Sequence, residues 1–395
     1  MSDHTLLLVL AVVGAVFCLV AMVMTLVNLR FYTPTNPSDA PRQAPGDWAL
    51  VSVCIPARNE EANIQACVRS VLAGDYPNVE VLVYNDHSTD RTGELLSELI
   101  AADARVRAVE VVDLPPGWNG KQFACEQMGR AARGTWCLFT DADVRFEPSC
   151  LRRTLARTQQ LNCDLLSSCP RQITATLGEA LIIPLIHFIL LSYLPMAPMR
   201  STTDPSASAG VGQFLFVRRE AYLASGGHAS FKDSMHDGIK MPRALRRAGY
   251  RTDLFDATDL VSCRMYRGLG ATWRGFAKNA YEGLGSLGLL LFVTVVHAIG
   301  HVWPWLYLTI VLAQLASGQE WLPAPASVVG LSLCCVALAL TQRLLLALKF
   351  EQSLVGALLH PVGVAMMTGV QWHSFYLSLT GRRTWKGRTL KPEPA

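Results

Sequence analysis

Charge is scarce in this sequence, and the motifs that mark the commonest nucleotide-using folds are missing. Asp, Glu, Lys and Arg make up 17% of the 395 residues against 51% hydrophobic ones, an apolar excess beyond the need of one soluble core. The formal net charge is only +4 and no stripe of basic and aromatic residues runs along the chain, so no nucleic-acid partner is expected. There is no Walker pattern, and no Gly-x-Gly-x-x-Gly follows the first apolar run of the chain's middle, which argues against an NTPase or a nicotinamide dehydrogenase. The eleven cysteines contain no Cys-x-x-Cys pair, and an odd number closes no complete disulfide framework, so a reducing compartment is expected. Cys54 and Cys137 fall inside apolar, strand-like runs and read as small buried hydrophobes rather than ligands.

What is present is sharply localised. The apolar excess sits at the two ends and the charges crowd into the middle. Leu6 to Leu29 is an uncharged run, long enough at 1.5 Å per residue to cross a hydrocarbon core of about 30 Å. It has no basic stretch ahead of it and no small-residue cleavage site, so a retained anchor is expected. Arg30 follows at once, which by the positive-inside rule places the next segment in the cytoplasm. A second apolar region begins near Leu284. If Leu284–Ala316 turns back as a hairpin at His301–Trp305, an even number of spans returns the basic tail to the cytoplasm, which is the expectation here; as one tilted span it would not. Between Leu177 and Met199 the text is apolar but broken by Pro184, Pro195 and Pro198, and both an interfacial helix and a buried one fit it.

From Val51 onward apolar and amphipathic stretches alternate. The runs Val51–Ile55, Val79–Tyr84, Val106–Val112 and Thr135–Thr140 are separated by the helix-like Glu61–Leu72, Thr92–Ala102 and Lys121–Ala132, and Ser149–Asn162 follows. Strand and helix taking turns predict an α/β domain with a mostly parallel sheet covered on both faces. Ligands of such sheets bind beyond the carboxyl ends of the strands, and polar residues gather there: Pro56–Ala57–Arg58–Asn59–Glu60–Glu61, Asn85–Asp86–His87–Ser88–Thr89–Asp90, and Asp141–Ala142–Asp143. If Asp141 and Asp143 lie in an extended segment they point the same way and offer two carboxylates to one hard cation, with room left for phosphate oxygens. Gly117–Trp118–Asn119–Gly120–Lys121 precedes a helical stretch whose open N–H groups and lysine suit a phosphate.

Taken together, the Val-Ser-Val-Cys-Ile-Pro-Ala-Arg-Asn-Glu-Glu at 51–61, Asn-Asp-His-Ser-Thr-Asp at 85–90, Gly-Trp-Asn-Gly-Lys at 117–121 and Asp-Ala-Asp at 141–143 resemble family 2 glycosyltransferases, in order and in spacing, over roughly 51–280. The resemblance implies a GT-A fold, Rossmann-like with a mostly parallel sheet, and inverting transfer from a nucleotide sugar, most often a UDP-sugar. Carried onto this chain, it puts Pro56, Ala57, Arg58 and Glu60 in the nucleoside pocket, Asp86 on the base, Lys121 near the nucleotide and Asp141 by the ribose or sugar. Asp143 would coordinate Mg²⁺ or Mn²⁺ on the diphosphate. The family's base is usually the aspartate of a Glu-Asp pair; here His236–Asp237 stands in its place, which makes Asp237 the candidate base and leaves the role of His236 open.

Gly210–Arg219 resembles the family's acceptor-side strand and loop, with Gln213 and Arg218 as contacts, although a strand with a basic end accounts for them equally. Processive members carry Gln-x-x-Arg-Trp; this chain has Arg264–Met265–Tyr266–Arg267–Gly268 instead, closer to single-transfer lipid glycosyltransferases of the hopanoid-associated, carotenoid and ceramide type. Arg264 and Arg267 are expected either to stabilise the leaving diphosphate or to anchor the chain beside the membrane. The resulting expectation is an N-terminal transmembrane anchor (1–33), a linker (34–47), a GT-A domain (48–283, with 177–199 as the interfacial helix), a C-terminal transmembrane region (284–380) and a basic tail (381–395). The expected partners are a nucleotide-sugar donor, a lipid acceptor and the membrane. A processive polysaccharide synthase and a catalytically silent nucleotide-sugar-binding scaffold are the alternatives.

Overall fold

The computed structural model describes residues 3–382 and the backbone of 384–385 and 388–389; most of the expected basic tail lies outside the described residues. The chain divides into two compact units, one of residues 1–30, 174–194 and 266–378, the other of residues 31–173, 195–265 and 379–395. The segment 48–283 therefore contributes to both.

In the second unit, strands β1 (Val51–Ala57), β2 (Val79–Asn85), β3 (Val106–Ala108) and β4 (Trp136–Phe139) lie parallel in the order β3-β2-β1-β4. Six further strands, β5 (Val144–Phe146), β6 (Leu165–Ser167), β7 (Arg171–Gln172), β8 (Leu215–Arg218), β9 (Thr252–Leu254) and β10 (Val261–Cys263), complete a seven-stranded sheet, β3-β2-β1-β4-β8-β6-β9, and a three-stranded one, β5-β10-β7. Only β8 runs against its neighbours in the large sheet, antiparallel to β4 and β6.

Every residue of β1 is buried, as a central parallel strand flanked on both faces requires. Alternation then divides its side chains: Val51, Val53, Ile55 and Ala57 join one core with Val81 and Val83, while Cys54 joins the other with Leu82, Tyr84, Cys137 and Phe139. The helix Ile64–Leu72 buries Ile64, Cys67, Val68 and Val71, the i, i+3, i+4, i+7 stripe of an amphipathic helix. Two arginines are interior struts. Arg153 bonds Thr35 and Asp259, and Arg246 bonds Thr252 and the carbonyls of Met199 and Thr202.

The first unit is helical. Asp3–Asn28, Leu287–Ser317 and Ala326–Lys349 are long and apolar enough to cross a membrane. Asp3–Asn28 buries Leu7, Ala11, Gly14, Cys18, Ala21, Thr25 and Asn28, a repeat of alternating fours and threes that makes one packing seam, and leaves Leu6, Val9, Val12, Val16, Leu19, Val20, Val23 and Leu26 exposed. Small residues bring backbones together in this seam: a Cβ on Gly14 would stand 2.7 Å from the Ile299 carbonyl oxygen. Asn28 closes it by donating to the carbonyls of Leu191 and Leu194 at 2.8 and 2.7 Å.

The expected hairpin within Leu284–Ala316 does not form. The chain runs on as one helix from Leu287 to Ser317 with a π-helical turn at His297–Val302. Pro304 directly follows the π-helical turn and does not end the helix. The apolar stretch around Leu177 to Met199 is three short helices, Leu177–Ile182, Leu185–Tyr193 and Met196–Ser201, with Pro184 and Pro195 standing immediately before the second and third.

Candidate active site

The loops beyond β1 and β2 are knitted into one surface. Asn59 takes a left-handed backbone (φ 54°) and accepts from the Thr89 N–H through Oδ1 at 2.8 Å, while its own N–H donates to Ser88 Oγ at 2.9 Å. Glu60 N–H donates to Thr92 Oγ1 and Glu61 N–H to Asp90. These bonds fix the ends of two adjacent parallel strands, and Arg58 and Asp86 meet across them: Arg58 Nη1 donates to the Asp86 carbonyl at 2.8 Å and stands 3.7 Å from its carboxylate. The Asp86 N–H in turn donates to the carbonyl of Ala57, the residue after Pro56, at 2.8 Å. Asp86 is buried.

Asp141 and Asp143 sit in a turn between β4 and β5, with the Val144 N–H donating back to the Asp141 carbonyl at 3.3 Å. They are therefore not the extended pair expected, and they differ. Asp141 Oδ1 takes the Lys121 ammonium at 2.7 Å. Asp143 Oδ1 is buried and accepts no hydrogen bond. Burial, followed by the nearby Asp141 and Glu60 charges, pushes Asp143 up to about 7 despite the adjoining Cys263 thiol. A carboxylate this poor in positive neighbours suits a divalent cation, and the turn supplies two carboxylates rather than a closed cage. Mg²⁺ and similar hard ions accept that arrangement when substrate phosphates and water provide the remaining oxygens. Among the described residues no group of three or more His, Cys, Asp or Glu side chains could hold a metal.

Lys121 also stands 3.0 Å from Asp237 Oδ2, so one ammonium joins the β4 end to a helix start far along the chain. Burial opposes the charge on Lys121, but Asp141 and Asp237 outweigh it and hold its pKa well above the usual value. Burial alone would raise Asp237; the Lys121 ammonium outweighs it and holds the carboxyl below the usual range. The local sequence arranges this. Asn119 caps the helix Gly120–Ala131 by accepting from the Lys121 N–H at 2.9 Å, and its own N–H donates to the Lys232 carbonyl at 2.7 Å. Gln122 donates to the Ser234 carbonyl. The helix start is thus tied to the loop that leads into Asp237.

Asp237 opens the helix Asp237–Arg247 and accepts from the Gly238 N–H, with His236 as the preceding cap residue. Gly212 faces its carboxylate so closely that a Cβ there would collide with Oδ1, and a Cβ on Gly238 would stand 2.5 Å from the Gly210 carbonyl oxygen. The glycines of the loop before β8 are needed for this approach. Sequence reading missed Asp237 as their neighbour. It also missed His228, a buried imidazole held by the Tyr222 hydroxyl at 2.9 Å and lowered by burial to about 3.

Gln213 is spent inside the fold, accepting from Gln172 and donating to Cys263 Sγ. Arg218 is not brought to the site. β8 is antiparallel, so Arg218 pairs with Trp136 at the start of β4, where it stacks on the indole and bonds Asp164. Arg264 directly follows Cys263, whose ladder partner is Val144, at the Asp143 end of that pairing. Arg267 is exposed and belongs to the other unit.

A family model described as Glycosyl transferase family 2 matches residues 52–224. The chain is 30% identical over 241 residues to 4,4'-diaponeurosporenoate glycosyltransferase of Staphylococcus aureus (strain USA300), an alignment covering 60% of this chain and 62% of that protein. The chain thus spans less than two thirds of the length of that curated relative. Mannosyltransferase PcManGT from Pyrobaculum calidifontis, solved in complex with GDP-Man and Mn²⁺, superposes over 97% of this chain and 100% of that one with a TM-score of 0.55 at 18% identity, which shows a shared fold. The strand order and the paired loops agree with that shared fold, GT-A, and residues 52–224 match the family 2 glycosyltransferase model.

Proposed function

We propose that the protein is an inverting glycosyltransferase that moves one sugar from a nucleotide-sugar donor, a UDP-sugar by the family's habit, to a hydroxyl or carboxyl group of a membrane lipid. The observation that carries this reading is the Lys121 bridge, which ties the donor-side Asp141 to the acceptor-side Asp237. The loops carrying Arg58, Glu60 and Asp86 supply the nucleoside end. Asp143, with Asp141, would hold Mg²⁺ or Mn²⁺, whose charge offsets that of the donor diphosphate.

The acceptor hydroxyl attacks the anomeric carbon while the bond to the diphosphate oxygen breaks, and the electron pair leaves with the nucleoside diphosphate. Asp237 takes the hydroxyl proton. Its depressed pKa keeps it ionised and ready, and its place beside the Lys121 ammonium fixes its direction. Arg264 faces the charge that grows on the leaving group. Gly212 leaves the space in which acceptor and base meet.

Helices of membrane-spanning length favour a lipid acceptor, because a bilayer-bound catalyst meets such an acceptor without extracting it. Arg30 after the first helix supports a cytoplasmic catalytic domain in a bacterial inner membrane. The test is to incubate membranes containing the protein with a panel of labelled nucleotide sugars and to count label in the organic-solvent extract. Transfer from one donor, lost with Asp143→Asn, is expected; label only in high-molecular-weight polysaccharide would sink the single-transfer reading.

A further inference from the structure

The membrane unit buries an arginine that the transferase reading leaves unused. Arg343 lies in the last third of the helix Ala326–Lys349 and is 1% exposed. Its Nε and Nη1 are buried and have no hydrogen-bond partner among the described residues. The contact its guanidinium does make is with an aromatic face, Cζ standing 6.0 Å from the centre of the Phe188 ring.

The surroundings are polar but uncharged in their ordinary form. The Phe188 ring is 5.2 Å from His301 and 5.0 Å from His360, and the two imidazoles are joined at 3.1 Å through Nδ1 of His301 and Nε2 of His360. His360 Nδ1 is buried and has no hydrogen-bond partner among the described residues. His301 stands on the π-helical turn, a distortion often found where a helix serves a site. Next to Arg343, Gln342 donates to the Ala21 carbonyl, Thr25 Oγ1 and Ser192 Oγ. Those bonds lock the rotation of the helix and keep the Arg343 side inward. The arginine therefore does not reach outward along the helix to the interface, as a snorkelling one does.

A guanidinium held in a membrane-embedded interior is costly unless an anion or a full set of acceptors meets it. Among the described residues no carboxylate pairs with Arg343, so the protein itself does not supply that anion. The fork of N–H donors fits the two oxygens of a carboxylate or phosphate, and His360 has a ring nitrogen to spare beside it. We infer that Arg343, with His301 and His360, forms a binding site inside the membrane unit for the oxyanion head, carboxylate or phosphate, of an amphiphile. This site lies wholly within the helical unit and does not rest on the transferase reading.

The test uses the full chain purified in a neutral detergent and measures thermal unfolding against palmitate and dodecyl phosphate, with hexadecanol, acetate and inorganic phosphate as comparisons. The wild type is expected to be stabilised by the two anionic amphiphiles in a saturable way and not by hexadecanol. Arg343→Met should lose that response, its apparent affinity weakening on the order of tenfold or more. Without ligand, the same variant should unfold at a temperature no lower than the wild type, because it removes a buried charge that lacked a partner. Arg343→Lys, which keeps the charge and loses the fork, should bind with intermediate affinity. If acetate or inorganic phosphate stabilises the wild type as well as the amphiphiles do, the lipid assignment is overturned in favour of a soluble anion. If Arg343→Met keeps the ligand response and simply unfolds earlier, Arg343 is a structural residue and the site does not exist. All of these readouts are of binding, so they leave the transferase reading standing or falling on its own assay.

Discussion

The Lys121 ammonium lies 3.0 Å from Asp237 Oδ2 while its other contact, at 2.7 Å, is Asp141 Oδ1. One cation thereby spans the two halves of the proposed reaction, donor and acceptor. It also sets the charge of the base, since Asp237 in its buried place would otherwise be raised rather than lowered.

Replacing Lys121 with Met should therefore do two separable things. Two facing carboxylates would lose their counter-charge, and stability in the absence of metal should fall by about 3 kcal/mol, read as a lower unfolding temperature. The acid limb of the pH–rate profile should also move to higher pH, because Asp237 would then ionise later. A variant with the wild-type profile would detach Lys121 from the base.

Asp143 gives a pH dependence of opposite sign. Its folded pKa of about 7 lies above the ordinary 3.8, so between those values the folded protein binds more protons than the unfolded one. The stability contributed by this group is full below about 4 and is lost as pH rises through about 7. Metal-free protein should thus unfold at lower temperature at pH 8 than at pH 5, and Asp143→Asn should flatten that slope. Added Mn²⁺ should restore stability above pH 7 in the wild type and not in the variant.

Gly212 does not require a positive φ; it requires empty space beside the Asp237 carboxylate. Gly212→Ala is expected to fold and to lower kcat on the order of a hundredfold by displacing the base, with donor affinity little changed. Equal losses in donor binding and turnover would show a wider distortion.

In the membrane unit, Gly14→Val would press a branched side chain against the Ile299 carbonyl. An overpacked seam of this kind costs about 1–3 kcal/mol, and the unfolding temperature in detergent should drop accordingly.

Much of this architecture is legible in the sequence, because each strand of the parallel sheet announces itself locally. Val51–Ile55 is apolar but for Ser52, and polar residues follow the strand ends, so Asp86, Asp141 and Asp143 could be placed at strand ends before any coordinates. Direction and distant pairing are not local properties. Arg218 looked like an acceptor contact until the antiparallel course of β8 carried it to the far end of β4. Asp141 and Asp143 could be read as an extended pair because spacing does not distinguish a turn from an extended segment. The meeting of Lys121 with Asp237 depends on Asn119 and Gln122 bonding the loop at Lys232–Ser234, and no periodicity encodes that contact. The continuous helix through Pro304 was hidden for a related reason: proline reads as a break unless the π-helical turn before it is known.

In the proposed reaction Asp143 holds the donor through a cation and Asp237 takes the proton. The most direct measurement pairs Mn²⁺-dependent donor binding with single-turnover transfer in purified wild type, Asp143→Asn and Asp237→Asn. Asp237→Asn should bind donor as tightly as the wild type and transfer about a thousandfold more slowly, while Asp143→Asn should lose the Mn²⁺-dependent binding itself. Transfer at the wild-type rate by Asp237→Asn, or undiminished Mn²⁺-dependent binding by Asp143→Asn, would contradict it.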